Sequence, residues 1–292
     1  MINERKIVLI AFATNDLKRS AKRLKYQALK SKYYTDIKIF SSNDLDEHTK
    51  SFIDDIIKKN GKRGFGYWYW KPCLILKILK ELKDNDIVHY LDIGCHININ
   101  NEKFKSYISL LDSNFKGLMA FQYYPLKNND DITNINFPKR EEYKFTKADL
   151  LNYFGYLDND EIIKSPQYWA GSFFIKKNDF CINFLESWID IFKNNFNLVN
   201  DSPSIKKNYP GFIENRHDQS IFSLLCKKNS IYSISAYESD WAIKNNQRTW
   251  EHNQSNPFLA KRDLEYNILK RFLNRQKRNL NRLKYKLKNR FR

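Results

Sequence analysis

Apolar and polar positions switch between two periods from the start of the chain. Ile7 to Phe12 is an apolar run of strand length, and behind a capping Thr14 or Asn15 comes a helical stripe of Leu17, Ala21, Leu24 and Ala28. Ile37 and Phe40 mark a second short strand, and Phe52, Ile53, Ile56 and Ile57 mark a helix ended by Asn60-Gly61. Pro72 reads as the first residue of the next helix, with Leu74, Ile75, Ile78, Leu79 and Leu82 on its apolar face. After the turn Asp84-Asn85-Asp86, the run Ile87-Val88-His89-Tyr90-Leu91 is a buried strand with Asp92 at its end. Further strands are predicted at Leu118 to Tyr123, Phe173 to Ile175 and Ile231 to Ile234. Thr146 to Asp149 has the form of a capping box opening a short helix. Phe180, Phe184, Trp188 and Ile191 stripe a long helix from Asp179 to Phe192, and Asp218 reads as the cap of a helix over Gln219 to Cys226. Such alternation predicts an α/β domain with a mostly parallel central sheet and helices on its faces.

Composition narrows the class. Aromatic residues make up 15% of the 292, which excludes a disordered chain, and eight glycines and seven prolines exclude collagen-like and linker sequences. Cys73, Cys95, Cys181 and Cys226 form no CxxC pair, so they read as free thiols suited to a reducing compartment. The apolar start is too short for a signal-peptide core and no run approaches the roughly 18 residues of a membrane span, so a chain neither exported by that route nor transmembrane is expected.

The net charge of +18 is unevenly placed. Lys261 to Arg292 holds thirteen lysines and arginines against Asp263 and Glu265, so eleven of the eighteen net charges lie in that tail. Leu269, Leu273, Leu280, Leu283 and Leu287 share one face there and basic residues fill much of the rest. The pattern predicts a basic amphipathic helix lying on an anionic membrane surface through residues 261–292. The expected organisation is a catalytic domain over 1–256 and a basic helical tail over 257–292, on the inner face of the cytoplasmic membrane. A nucleic-acid-binding protein is the rival that the charge suggests, but the basicity sits in one tail and no RRM, HTH or OB signature is present. A non-catalytic membrane-docked scaffold is the other rival.

Four stretches carry candidate chemistry. Asp92 stands at a strand end, where a carboxylate can meet a ribose hydroxyl or a divalent metal, and Gly94 two residues on allows a close backbone approach. Gly66-Tyr67-Trp68-Tyr69-Trp70-Lys71-Pro72 places four aromatics before a helix, either as a core plug or as a stacking surface. Lys71 there opposes the helix dipole unless an anion is near, so it reads as a phosphate ligand. Arg216-His217-Asp218-Gln219 offers an imidazole and a carboxylate beside the alternative of a plain N-cap. Gln167-Tyr168-Trp169-Ala170-Gly171-Ser172 offers small residues after an aromatic pair, a surface that a sugar can approach.

Taken in order, these stretches resemble the bacterial glycosyltransferases of capsule and lipopolysaccharide clusters, in which an aromatic-Lys-Pro helix precedes a strand ending in Asp-x-Gly or Asp-x-Asp. The carrying residues are Lys62 to Pro72 and Asp86 to Cys95, with Glu142 to Asp149, Trp169-Ala170-Gly171 and Arg216 to Gln219 adding to them. The resemblance implies a GT-A fold, a nucleotide-diphosphate sugar donor and a glycan or lipid-linked glycan acceptor, with Mn²⁺ or Mg²⁺ as cofactor. It puts Arg63, Trp70, Lys71, Asp92, Gly94, Trp169, Gly171 and Gln219 at the donor, Asp218 and Asp92 in catalysis, and Asp92 with His217 on a metal. Gly94 replaces the second Asp of the motif, so His96 or His217 substitutes for it, or Lys71 and Arg63 take over from the metal.

Overall fold

The structure, a computed structural model, describes residues 5–126 and 134–263. In chain order its elements begin with β1 (Ile7–Phe12), α1 (Lys18–Ser31), β2 (Asp36–Phe40), α2 (Glu47–Asn60), a single turn α3 (Gly64–Tyr67), α4 (Trp70–Glu81), β3 (Ile87–Leu91), β4 (His96–Ile97), α5 (Asn101–Ser113) and β5 (Leu118–Gln122). There follow α6 (Glu142–Phe145), α7 (Ala148–Tyr153), α8 (Asp160–Ile163), β6 (Tyr168–Lys176), α9 (Asp179–Asn194), α10 (Asp218–Lys228), β7 (Tyr232–Ser235), β8 (Ala242–Lys244), β9 (Gln247–Thr249) and β10 (Phe258–Leu259).

Six strands form the central sheet in the order β2-β1-β3-β6-β5-β7. β1 pairs in parallel with β2 and β3, and β5 in parallel with β7, while β6 runs antiparallel to both of its neighbours. Five strands therefore share one direction, as the alternating pattern predicts.

The apolar runs are continuous because both faces of the sheet are covered. Val8, Ile10 and Phe12 of β1 pack into one core with Ile53, Ile75, Trp188 and Phe222 of α2, α4, α9 and α10. Leu9 and Ala11 turn to the other face and pack with Leu24, Ala28, Tyr107 and Leu111 of α1 and α5. His89, the one polar residue of β3, is fully buried between the Tyr34 hydroxyl at 2.8 Å and Ser172 Oγ at 3.0 Å. Burial holds its pKa well below the ordinary value, so it is a neutral core residue.

Several local expectations are corrected. Pro72 is the third residue of α4 rather than its first, still within the turn whose N–H groups lack helical partners. Asp218 is the first residue of α10, and His217 is the N-cap. No capping box forms at Thr146. Its hydroxyl donates to Glu142 Oε2, and the Asp149 carboxylate accepts from the amides of Ile205 and Lys206 instead.

The domain boundary also moves. β10 pairs with β4, and the Phe258 ring is fully buried among Tyr33, His89, Phe104, Tyr107 and Phe174. The folded unit thus takes in Phe258, Leu259 and Ala260, which the composition shift had assigned to the tail. Of the basic amphipathic helix expected over 257–292, residues 264–292 lie outside the described residues. Among the described residues no helix is long and apolar enough to cross a membrane.

Phe258→Ala is expected to destabilise the protein by about 3–5 kcal/mol, the cost of emptying a packed phenylalanine site. Denaturant unfolding checks this, and an unchanged midpoint would show that the segment after residue 256 is separable from the fold.

Candidate functional site

The chain leaves β1 toward β2 on one side and leaves β3 toward β5 on the other. The carboxyl ends of β1 and β3 are therefore the switch point of the sheet, where open α/β sheets leave a crevice. A cleft of about 930 Å³ lies there. Phe12 at the end of β1 and Thr14 to Leu17 after it line one wall, and Asp92 to Cys95, following β3, line another.

The reversed strand β6 brings its beginning to the same edge. Gly171 O accepts the Asp92 amide at 2.8 Å, which seats the Trp169-Ala170-Gly171 segment against the end of β3. Gly171 has no room for a side chain. A Cβ there would stand 2.7 Å from Asp92 Oδ2 and 2.3 Å from the Trp169 indole nitrogen. The small residue that the sequence marked as an approach surface is thus what lets the carboxylate and the indole sit together.

At the floor lies a buried ion cluster. Lys71, in the first turn of α4, donates from Nζ to the Asp218 carboxylate at 2.5 Å and to the Ala170 carbonyl at 3.1 Å. The same ammonium lies 3.9 Å from Asp92 Oδ1 and 5.0 Å from the centre of the Tyr90 ring. Tyr90 donates its hydroxyl to Asp92 Oδ1 at 2.7 Å. The anion that Lys71 was expected to need at a helix start is Asp218, supplied by the protein.

The two carboxylates differ in setting. Asp218 is buried and its pKa is raised to about 6, because desolvation outweighs the lowering effect of the Lys71 ammonium. Asp92 keeps 43% of its side chain open to the cleft.

The remaining predicted residues reach the cleft as well: Arg63, Trp70, Gly94, Trp169, Gly171, His217 and Gln219 all line it. Trp70 is mostly core, stacked 4.0 Å from Phe12 and donating its indole N–H to the Gly64 carbonyl. Arg63 is paired with Asp201 at 3.0 Å and lies 3.8 Å from Glu214. Gln219 donates to the Gln167 side chain at 2.9 Å.

Sequence reasoning passed over Arg262 and named Trp68 and Arg216 only within their motifs, without assigning them to the donor, and all three line the cleft. Trp68 stacks on His217 at 5.9 Å. Arg216 stacks on the Phe145 ring at 3.7 Å, and the exposed Arg262 lies 3.9 Å from the buried Asp240. Arg216 was quoted within its motif and could have been taken from it. Arg262 was hidden by being counted with the tail.

The expected metal set of Asp92 and His217 is not assembled. His217 is buried with Nδ1 donating to the Val199 carbonyl at 2.6 Å and Nε2 lying 3.6 Å from Asp201, so it belongs to a different group from Asp92. His96 is turned to Gln27 and Asp263. Among the described residues no three His, Cys, Asp or Glu side chains converge to hold an ion. The cation beside Asp92 is the ammonium of Lys71, so the residues present do not fit a protein-built metal site.

No protein-family model matches the chain, and no curated protein matches it. Solved structures are similar to it at low identity. Mouse xyloside xylosyltransferase 1 aligns at 10% identity and TM-score 0.44, over 80% of this chain and 86% of its own. A glycosyltransferase involved in glycosylation of the major capsid of PBCV-1 aligns at 11% and 0.40, over 80% and 84%. The galactosyltransferase LgtC aligns at 16% and 0.36, over 80% and 75%. At these scores the similarity carries no inference about activity.

Lys71→Met should raise the Asp218 midpoint above about 6, since it removes the cation that holds the value down. Carboxyl carbon chemical shifts against pH would read it, and an unmoved midpoint would mean that the ion pair does not form in solution.

Proposed function

We propose that the chain is a glycosyltransferase that takes a sugar from a nucleotide-diphosphate donor in the switch-point cleft and passes it to a hydroxyl of a surface glycan. The observation that carries this reading is the meeting, at the end of β3, of a half-open Asp92 with the Lys71–Asp218 pair, inside a cleft rimmed by Lys62, Arg63, Arg216 and Arg262. Guanidinium groups suit a diphosphate because they form charge-assisted, often paired hydrogen bonds to its oxygens. Trp68 and Trp169 on the walls are the kind of surface on which a base or a sugar packs.

In the transfer, the acceptor oxygen bonds to the anomeric carbon as the bond from that carbon to the diphosphate oxygen breaks. The diphosphate leaves with the electron pair, and the acceptor proton must pass to a base. Sequence alone favoured Asp218 as the catalytic carboxylate. Its burial and its bond to Lys71 shift that role to Asp92, whose exposed oxygen can meet substrate, and make Asp218 the residue that positions Lys71. The capsule or lipopolysaccharide setting and a docking role for residues 261–292 on an anionic leaflet belong to the same proposal. They are supported by the resemblance and by the charge pattern of the tail.

Asp92→Asn should lower donor hydrolysis without acceptor, and glycosyl transfer, by roughly 10²-fold or more, as expected for loss of a positioned base. Stability should change by no more than about 0.5 kcal/mol, because the amide oxygen can still accept from Tyr90. Parallel turnover and thermal-melt measurements check this, and full activity in the variant would remove Asp92 from the mechanism. For the tail, the full chain should co-sediment with phosphatidylserine vesicles at low salt, and a chain ending at Asp263 should not. Equal sedimentation of the two would discard the docking role.

A further inference from the structure

We propose that Lys71 is the built-in cation of the donor site, so that a nucleoside diphosphate is held there without a divalent metal. The inference rests on the donor reading above and deepens it.

The position between the two carboxylates is taken by a side chain the fold cannot easily withdraw. Lys71 is 2% exposed, in the first turn of α4, with its ammonium fixed by Asp218 on one side and the Ala170 carbonyl on another. Asp92 Oδ1 is shared between that ammonium and the Tyr90 hydroxyl. An ion binding to Asp92 would meet the ammonium's repulsion at close range.

The partners an ion would recruit do not gather at Asp92. Gly94 offers no side chain, His217 has Nδ1 on the Val199 carbonyl and its unbonded Nε2 3.6 Å from Asp201, and His96 faces Gln27 and Asp263. The charge needed for a diphosphate is present in the arginines of the cleft. Arg216 lies against Phe145, and Arg262 is more than half exposed, 3.9 Å from the Asp240 carboxylate. Each can turn guanidinium hydrogens to phosphate oxygens, while Lys71 contributes its charge from the floor of the cleft.

The test is calorimetric titration of the full chain with UDP and with GDP, once in EDTA and once in Mn²⁺, together with the electron paramagnetic resonance signal of Mn²⁺ mixed with the protein alone. Affinity should differ by less than about threefold between the two conditions, and the Mn²⁺ signal should remain that of the free ion. Tightening by Mn²⁺ beyond that, or loss of binding in EDTA, overturns the inference while leaving the donor reading intact. If neither nucleotide binds in either condition, the donor reading itself falls and this inference with it. Arg262→Ala, a substitution at an exposed side chain away from the ion cluster, should weaken UDP or GDP about tenfold and leave the free nucleoside unchanged, equally in EDTA and Mn²⁺. Equal losses for nucleotide and nucleoside would deny Arg262 the phosphate role that metal-free binding requires.

Discussion

A buried ammonium must be paired and hydrogen-bonded, and the requirement of Lys71 organises this end of the molecule. Its partners come from far along the chain: Ala170 in β6 and Asp218 at the start of α10. None of the three elements can shift without leaving charge unpaired in the interior. The cost of this arrangement shows in Asp218. Its pKa is raised to about 6, so the folded state binds that proton more tightly than the unfolded chain does. The penalty for its ionisation is full above about pH 6 and fades as pH falls toward the ordinary carboxylate range. Taken alone, this group makes the fold relatively more stable on mild acidification, the opposite of a carboxylate stabilised by its ion pair.

The direction of β6 gives the cluster its shape. In an all-parallel sheet every strand would bring its end to the ligand edge. Because β6 runs the other way, its first residues arrive there, and their backbone bonds directly to Asp92. Ala170 then offers a carbonyl to Lys71, and Gly171 leaves space for both the Asp92 carboxylate and the Trp169 indole. Three properties of a short sequence, an aromatic, a carbonyl in the right register and a missing Cβ, do separate jobs in one strand.

Much of the fold was legible because its signals are local. Strands buried on both faces read as unbroken apolar runs, and Asp92 stood out as the polar residue ending one of them. The direction of β6 was not legible, since residue pattern marks a strand but not its polarity. Asp218 looked like an ordinary cap because an Asp before an apolar helix is one in most contexts, and its actual partner lies 147 positions away. Thr146 lost its capping role to Glu142, a fully buried carboxylate that also binds Ser223 and Lys227 and competes for the hydroxyl. Arg262 was missed because composition changes before the fold ends, and the pairing of β10 with β4, with the Asp263 amide bonded to the Gly94 carbonyl, shows that the chain is still inside the domain there.

The aromatic run from Tyr67 to Trp70 was read as either a core plug or a stacking surface, and the backbone explains why most of it is core while Trp68 faces the cleft. Gly64, Phe65, Gly66, Tyr67 and Trp68 all have positive φ, five consecutive residues in the left-handed region. For the three that are not glycine this costs about 1–2 kcal/mol each. Ring packing offsets it: Phe65 stacks on Phe12, Tyr67 meets Phe196 and His217 edge-on, and Trp68 stacks on His217. The two glycines are required, since a Cβ on Gly64 would stand 2.4 Å from the Trp68 ring and one on Gly66 2.9 Å from Ile53. His217 is itself held at a positive φ just before Asp218. Strained backbone thus precedes both members of the ion pair, Lys71 and Asp218, and the two strained segments pack on each other through Trp68 and His217. Unusual backbone of this kind persists only where the surroundings over-determine it. Here they do so by turning Tyr67, Tyr69 and Trp70 into the core while leaving Trp68 half-buried on the cleft wall, in the same turn that delivers Lys71 to its carboxylates.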